Sequence, residues 1–429
     1  MMKKNSLYVL VVLMIFLLGC QKDDIIQESS QEQGQEILQG MRECKINDVY
    51  YLFDLQYKTV KVKGSFKYCS DSIIIPATIN YEGEKFKVTS IEDEAFLGCA
   101  NLPAITIPAS VASIGNAAFA DCANLTSVII PEDSQLASIS DYAFYNCESL
   151  CSITIPEKVV SIGESAFYNC NFTSITISEK SQLRSIGDCA FNNCRNLFTI
   201  TIPDNVRLTS IGDEAFYKCS NLTSITIPKG VVSIGSEAFS GCSSLTAVHI
   251  SDIASWCKIN FADNDSNPLC YANNLYLHGE LVTELVLPKN IVSIGAYTFY
   301  NCDSLIVVKI PEGVMNIGNQ AFRGCSNLTA VTIPTSVTSI GDRAFYWCYN
   351  LPAIVIPASV TSIGDGAFSY CSNLKSIKVL GVTPPSVHNT PFGYDYNYNA
   401  ELYVPNEAVD AYGSTYPWSN FASIIGCCP

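Results

Sequence analysis

The chain has 429 residues, a formal charge of −15 and a pI near 4.6, with 20 Cys and only 3 His. An acidic balance of that size argues against nucleic acid and anionic membrane surfaces as ligands. With no C-x-x-C and no H-E-x-x-H, the usual zinc spacing is missing as well.

Residues 1–19 read as a lipoprotein signal peptide. Lys3 and Lys4 precede an apolar run from Leu7 to Leu18, too short to span a bilayer and suited to secretion. Leu17-Leu18-Gly19-Cys20 is similar to a bacterial lipobox, and no A-x-A cleavage site is present, so Cys20 is the expected lipid attachment. The following Gln21-Lys22-Asp23-Asp24 resembles the surface-export signal of Bacteroidota lipoproteins. The expected location is therefore the outer membrane, exposed on the cell surface. Residues 20–41, rich in Gln, Glu, Ser and Gly, cannot bury enough apolar surface to fold and read as a tether. From 42 to 90 the pattern is alternating and β-branched, as in VYYLFDLQY and SIIIPATINY, which predicts an N-terminal β cap.

From 91 to 379 one unit repeats. Its clearest copy is AFYKCSNLTSITIPKGVVSIG, from Ala215 to Gly235. The Phe recurs at 96, 119, 144, 167, 191, 216, 239, 299, 322, 345 and 368, every 23 to 25 residues save one interval of 60. That period lies in the 20–29 residue range of leucine-rich repeats. In L-x-x-I-x-I the two Ile face one side of a strand and the residue between them faces the other. Pro228 ends the strand for want of an N–H. Gly235 supplies a position tolerant of positive φ, and S-E-A-F is expected to make one helical or 3-10 turn that drops Phe239 into the core. Acids after S-I-G (Glu164, Asp188, Asp213, Asp342, Asp365) suit the N–H groups at the start of such a turn, with a calcium-bridged ridge as the alternative. The predicted fold is an α/β repeat solenoid, right-handed, of about 11–12 coils with one short strand and a helical or 3-10 turn each. Residues 251–288 hold an enlarged variant repeat, and 380–429 a C-terminal cap.

Eleven Cys fall in the repeat slot, and with Cys20 set aside 20 − 11 − 1 leaves eight: Cys44, Cys69, Cys151, Cys189, Cys257, Cys270, Cys427 and Cys428. The slot cysteines should stack as a reduced column. Cys257 with Cys270 is the pair to test for a bridge.

The string S-I-G-x-x-A-F-x-x-C-x-x-L-x-x-I-x-I-P, sustained from about Ile91 to Val379, resembles the BspA-like leucine-rich repeat proteins. The Cys three residues ahead of the Leu marks this variant against the general L-x-x-L-x-L-x-x-N/C pattern. The W-x-x-I-x-F and N-P-L segments of the long interval, and the terminal LYVP with Tyr412 and Trp418, are similar to parts of the same family. The resemblance implies adhesion to host matrix proteins or to other cells, and recognition by host innate receptors.

Catalytic and cofactor residues find no pattern. Asp263, Asp265 and Asn267 open like a calcium loop, but Pro268 and Asn274 stand where Gly and Glu are required, so no metal site is assigned. The outward slot between the strand Ile carries Thr106, Thr154, Thr176, Thr201, Thr226, His249, Lys309, Thr332 and Lys378, with no carboxylate in the row. This row is the candidate ligand face. A second candidate is the aromatic cluster of Phe392, Tyr394, Tyr396 and Tyr398. The expected function is non-enzymatic binding of a host or neighbouring-cell surface protein by a lipid-anchored monomer. The alternative is glycan capture for polysaccharide uptake, which requires exposed aromatics.

Overall fold

The structure, a computed structural model, describes residues 41–65, 69–387, 390–393 and 399–427. Met1–Met41 and Arg42–Pro429 are separate units by their contacts, and the solenoid lies in the second. Cys20, the export-signal residues, Tyr394, Tyr396 and Tyr398 lie outside the described residues.

Repetition of the unit builds a repeat solenoid of about 14 turns. Each regular coil has two short strands rather than one. In the first wall Ser113–Ile114, Ser138–Ile139, Ser161–Ile162, Ser185–Ile186, Ser210–Ile211 and Ser233–Ile234 pair in parallel, Ser on Ser and Ile on Ile. In the second wall Ser152–Ile155, Ser174–Ile177, Thr199–Thr201, Ser224–Thr226 and Ala247–Ile250 also pair in parallel, slot on slot, with Ser174 meeting Thr199, Ser224 meeting Ala247 and Ile225 meeting Val248. Equivalent positions of the repeat meet because the period and the register agree, and the inward Ile of both walls are buried.

The segment expected to be helical or 3-10 is a run of turns. Two residues per turn are left-handed: the one before A-F, such as Glu214 (φ 53) and Glu237 (φ 52), and the one before Cys, such as Asn193 (φ 63) and Lys218 (φ 57). Left-handed residues cannot propagate a right-handed helix. Their effect is to alternate the direction of the amides. The N–H groups of Glu214, Phe216 and Lys218 donate to Ser236, Ala238 and Ser240 one coil on, at 2.7–2.8 Å, while those of Tyr217 and Cys219 close local turns. A helix would spend all of these amides within one coil; here every second one stitches coil to coil.

Gly235 does not have a positive φ. Its role is room. A Cβ there would sit 2.5 Å from the backbone N of Asp213 and closer still to its Oδ1. Gly163, Gly212 and Gly364 stand in the same relation to Asp141, Asp188 and Asp342. Those acids do cap amides, though not at a helix and not in their own coil. Asp188 Oδ1 accepts from Asp213 N at 2.9 Å, Asp213 Oδ1 from Ser236 N at 2.7 Å, and Asp342 Oδ1 from Asp365 N at 2.8 Å. Glu164, one carbon longer, instead accepts from the Tyr142 hydroxyl at 2.6 Å.

Inside, the Phe side chains form a column with ring centroids 5.1–5.4 Å apart and planes within 11°. Burying each is worth about 1.5–3 kcal/mol, which no isolated coil could gain. Beside it runs the thiol column: Cys194, Cys219 and Cys242 Sγ each donate to the carbonyl of the preceding coil's Phe at 3.2 Å. Cys257 and Cys270 are free thiols, with Cys257 buried and Cys270 Sγ 3.5 Å from Asp265 Oδ1.

The enlarged coil interrupts this regularity. Asn260–Phe261 pairs with Ser233–Ile234, and Leu275–Leu277 with the end of Ala247–Ile250. Phe239 N donates to Asp265 O, which puts the buried Ser266 where a Phe is due. Both walls end here, one at Asn260–Phe261 and the other where Leu275–Leu277 folds back on Glu280–Leu281. New sheets begin at Ser293–Ile294 and Glu284–Val286. Side chains bridge the break: Trp256 Nε1 donates to Thr298 O at 2.9 Å, and Asn267 Nδ2 to Tyr297 O at 2.7 Å.

At the start, the antiparallel pair Val49–Asp54 and Thr59–Gly64 joins the first wall through Glu84–Ile91. At the other end the coil pattern continues beyond Val379. Phe392 stacks on Phe368 at 5.7 Å, is buried, and is covered by Trp418 and Phe421. It is therefore a core residue and leaves the proposed aromatic contact surface.

Candidate functional site

The second wall presents its outer face as a ladder of small side chains. Two positions per strand point outward: the residue before the first Ile, mostly Ser, Thr or Ala, and the residue between the two. Thr154, Thr176 and Thr201 are cross-strand neighbours in register and all exposed. Thr226 pairs with His249, and His249 with Tyr276, their rings 5.0 Å apart. At about 4.8 Å per strand, Thr154 to Thr226 spans roughly 15 Å.

The next column of hydroxyls differs. Thr126, Thr223, Thr246 and Thr329 Oγ1 each donate to a carbonyl of the preceding coil at 2.9–3.2 Å. They are occupied by the fold. Among the described residues, the hydroxyls of Thr154, Thr176, Thr201 and Thr226 make no hydrogen bond and face outward.

The row is not wholly polar. Thr106 sits between Ile74 and Ile129, which are 75% and 53% exposed. Beyond the enlarged coil, Val286 (60% exposed), Lys309 and Thr332 are in register. Val355, Lys378 and Tyr403 follow in another sheet. Lys309 Nζ pairs with Glu284 Oε1 at 2.5 Å, and the Tyr403 hydroxyl donates to Glu401 Oε2 at 2.5 Å, so both of these acids beside the row are engaged. From Ile74 to Thr226 the row holds only Ile and Thr side chains, a rigid, uncharged surface fit for contact.

Tyr276 and Tyr403 belong to this row and the repeat pattern did not show them, because one lies in the enlarged coil and the other in the C-terminal cap. The pleat of LYL and LYVP was the available signal. A second cluster was also missed, on the turns of the later coils. The Arg323 guanidinium lies 4.9–5.4 Å from the rings of Tyr300, Tyr346 and Trp347, and Tyr370, 51% exposed, packs against Tyr346 at 5.0 Å. Its signal was spacing: 300, 323 and 346 are successive copies of one slot, 23 residues apart.

Asp263 and Asp265 serve the local chain. Asp263 Oδ1 accepts from Ser266 N at 2.7 Å and its Oδ2 from Ser236 Oγ at 2.5 Å, while Asp265 Oδ1 accepts from the Tyr271 hydroxyl at 3.2 Å. Among the described residues no three metal-ligating side chains converge.

The family model for the BspA type leucine rich repeat region, in six copies, matches residues 62–182, 162–266 and 272–395. No curated protein matches the chain. Among solved structures, a leucine-rich repeat protein from Bacteroides ovatus is 25% identical with a TM-score of 0.51, over 89% of this chain and 99% of that one. A leucine rich cell surface protein from Faecalibacterium prausnitzii is 24% identical with a TM-score of 0.48, over 90% and 95%.

Proposed function

This chain belongs to the BspA-type leucine-rich repeat family, and from that premise we propose that it is a non-enzymatic adhesin that holds a host or neighbouring-cell surface protein on the outer face of its second wall. A lipid anchor at Cys20 and display on the outer membrane complete the reading; they rest on the lipobox and the acidic residues after it. The observation that carries the proposal is the in-register row of unbonded hydroxyls from Thr154 to Thr226, continued by exposed Ile129 and Val286. Solenoids bind along such extended faces because stacking makes the surface large and stiff before any partner arrives. Apolar β-branched side chains in the row favour a protein partner over a glycan.

Glycan capture stays as a second reading because of the aromatic cluster around Arg323, whose Tyr370 offers an open ring face. The two are separated by binding the purified chain to an array of matrix proteins, mucins and polysaccharides. Beside it run the quadruple variant Thr154→Glu, Thr176→Glu, Thr201→Glu, Thr226→Glu and the double variant Tyr346→Ala, Tyr370→Ala, each checked for native circular dichroism. Protein binding lost at least tenfold in the first and kept in the second is the expected result. Binding confined to polysaccharides and lost only in the second would replace adhesion with capture.

A further inference from the structure

The thiol column has an irregular first rung. In Cys122, Cys147, Cys170, Cys194, Cys219 and Cys242 the Sγ donates to the Phe carbonyl one coil earlier, at 3.2 Å in every case. Cys99 has no such coil before it, since the N-terminal cap begins there. The cap carbonyl that it meets, Ser65 O, is 4.0 Å from its Sγ. Cys69, on the loop before Ile73–Ile74, brings its own Sγ to 3.0 Å from Cys99 Sγ. That separation is about 1 Å longer than a disulfide bond, within reach of a small shift in a loop.

We propose that Cys69 and Cys99 are a disulfide site that fastens the N-terminal cap to the first coil. Accessibility sets the order of events. Cys69 is half-buried and meets the oxidant, whereas Cys99 is only 3% exposed. Burial, reinforced by the hydrogen bond with Cys69, pushes the Cys99 thiol up to about 12, so it reacts as the resolving group once its partner is activated. The Cys69 thiolate attacks one sulfur of a small-molecule disulfide such as oxidised glutathione, forming a mixed disulfide and releasing one thiol. Cys99 then gives up its proton and attacks Cys69 Sγ, expelling the second thiol. Two electrons pass to the oxidant, which leaves as two thiols carrying the two protons.

The bond would close a ring over residues 69–99, and that ring contains the hairpin Thr78–Tyr81 with Glu84–Ile91. Glu84–Ile91 is the strand that joins the cap to the first wall, between Thr59–Gly64 and Ser113–Ile114. The cross-link therefore spans the seam between cap and repeats, and limits opening from that end.

The full chain, purified reduced, is equilibrated in graded mixtures of reduced and oxidised glutathione, alkylated, digested and mapped. The expected product is a linked peptide pair containing Cys69 and Cys99, lighter by two hydrogens than the reduced pair. Its appearance should raise the midpoint of thermal unfolding, and the rise should persist in Cys44→Ser and vanish in Cys69→Ser. Alkylation of both residues without prior reduction, when the equilibrated protein is unfolded in guanidinium before alkylation, across the whole series, would overturn the proposal. So would Cys69 linked to any other cysteine.

Discussion

At the scale of single residues, the S-I-G glycine shows how a repeat makes one side chain the environment of another. Gly235 and Asp213 are 22 residues apart and touch because the coils stack. Gly235→Ala should cost about 1–3 kcal/mol through overpacking, and Asp213→Ala about 1 kcal/mol through its lost bond to Ser236 N. Combining them should not rescue the first, because the backbone N of Asp213 still lies 2.5 Å from the new Cβ. Urea unfolding of the three variants decides it; a double variant as stable as Asp213→Ala alone would refute the steric account. The glycine was conspicuous in the sequence, yet its reason was not. Local propensity suggests a φ requirement, while the true constraint comes from a neighbour whose position depends on the register.

At the scale of elements, the columns of Phe, Cys and Ile were legible because each recurs once per period. Elements that keep the geometry and change the residue were harder to see. Phe392 lies 24 residues after Phe368, but in T-P-F-G instead of A-F-x-x-C, so it looked like part of an aromatic loop. Ser266 fills a Phe position with no chemical likeness to Phe. The Ser-Ile strand that each coil gives to the first wall has only two residues, too few for a periodicity to declare. The enlarged coil, where both ladders stop, leaves the regular stacks on its two sides joined mostly by side-chain bonds, with Ser304 N donating to Asn273 O at 3.2 Å as a backbone link. Trp256→Phe together with Asn267→Ala should remove the bonds to Thr298 O and Tyr297 O and convert one cooperative unfolding transition into two. Chemical denaturation followed by far-ultraviolet circular dichroism reads this directly; a single transition, merely shifted, would show that apolar packing alone couples the halves.

At the scale of the whole molecule, the thiol column gives the fold a pH dependence. Burial pushes the thiols of Cys194, Cys242, Cys302 and Cys371 up to about 12, against an ordinary value of 9.0. Between those values the unfolded chain has lost protons that the folded chain keeps. Their contribution is therefore complete below pH 9 and falls as the pH rises from 9 to 12. The urea midpoint should hold from pH 7 to 9 and then drop. The drop should be shallower in Cys194→Ala, Cys242→Ala, whose starting stability is lower by about 1–3 kcal/mol per site through lost packing. Equal slopes in both proteins would assign the alkaline loss to other groups. The strand-face row, by contrast, was legible as a position and not as a ligand: the same pattern of hydroxyl and methyl recurs on any Thr-rich sheet, and nothing in a single Thr names its partner.

The alternation of amides in the turns also has a mechanical side. Bonds such as Phe216 N to Ala238 O join each coil only to the next. A force pulling the chain ends apart meets them a few at a time, as a zipper does, and one 23-residue coil can peel away while those beyond it stay wound. Each such event pays out about 80 Å of extended chain. A molecule built this way yields gradually under load, lengthening many times over before its last coil lets go.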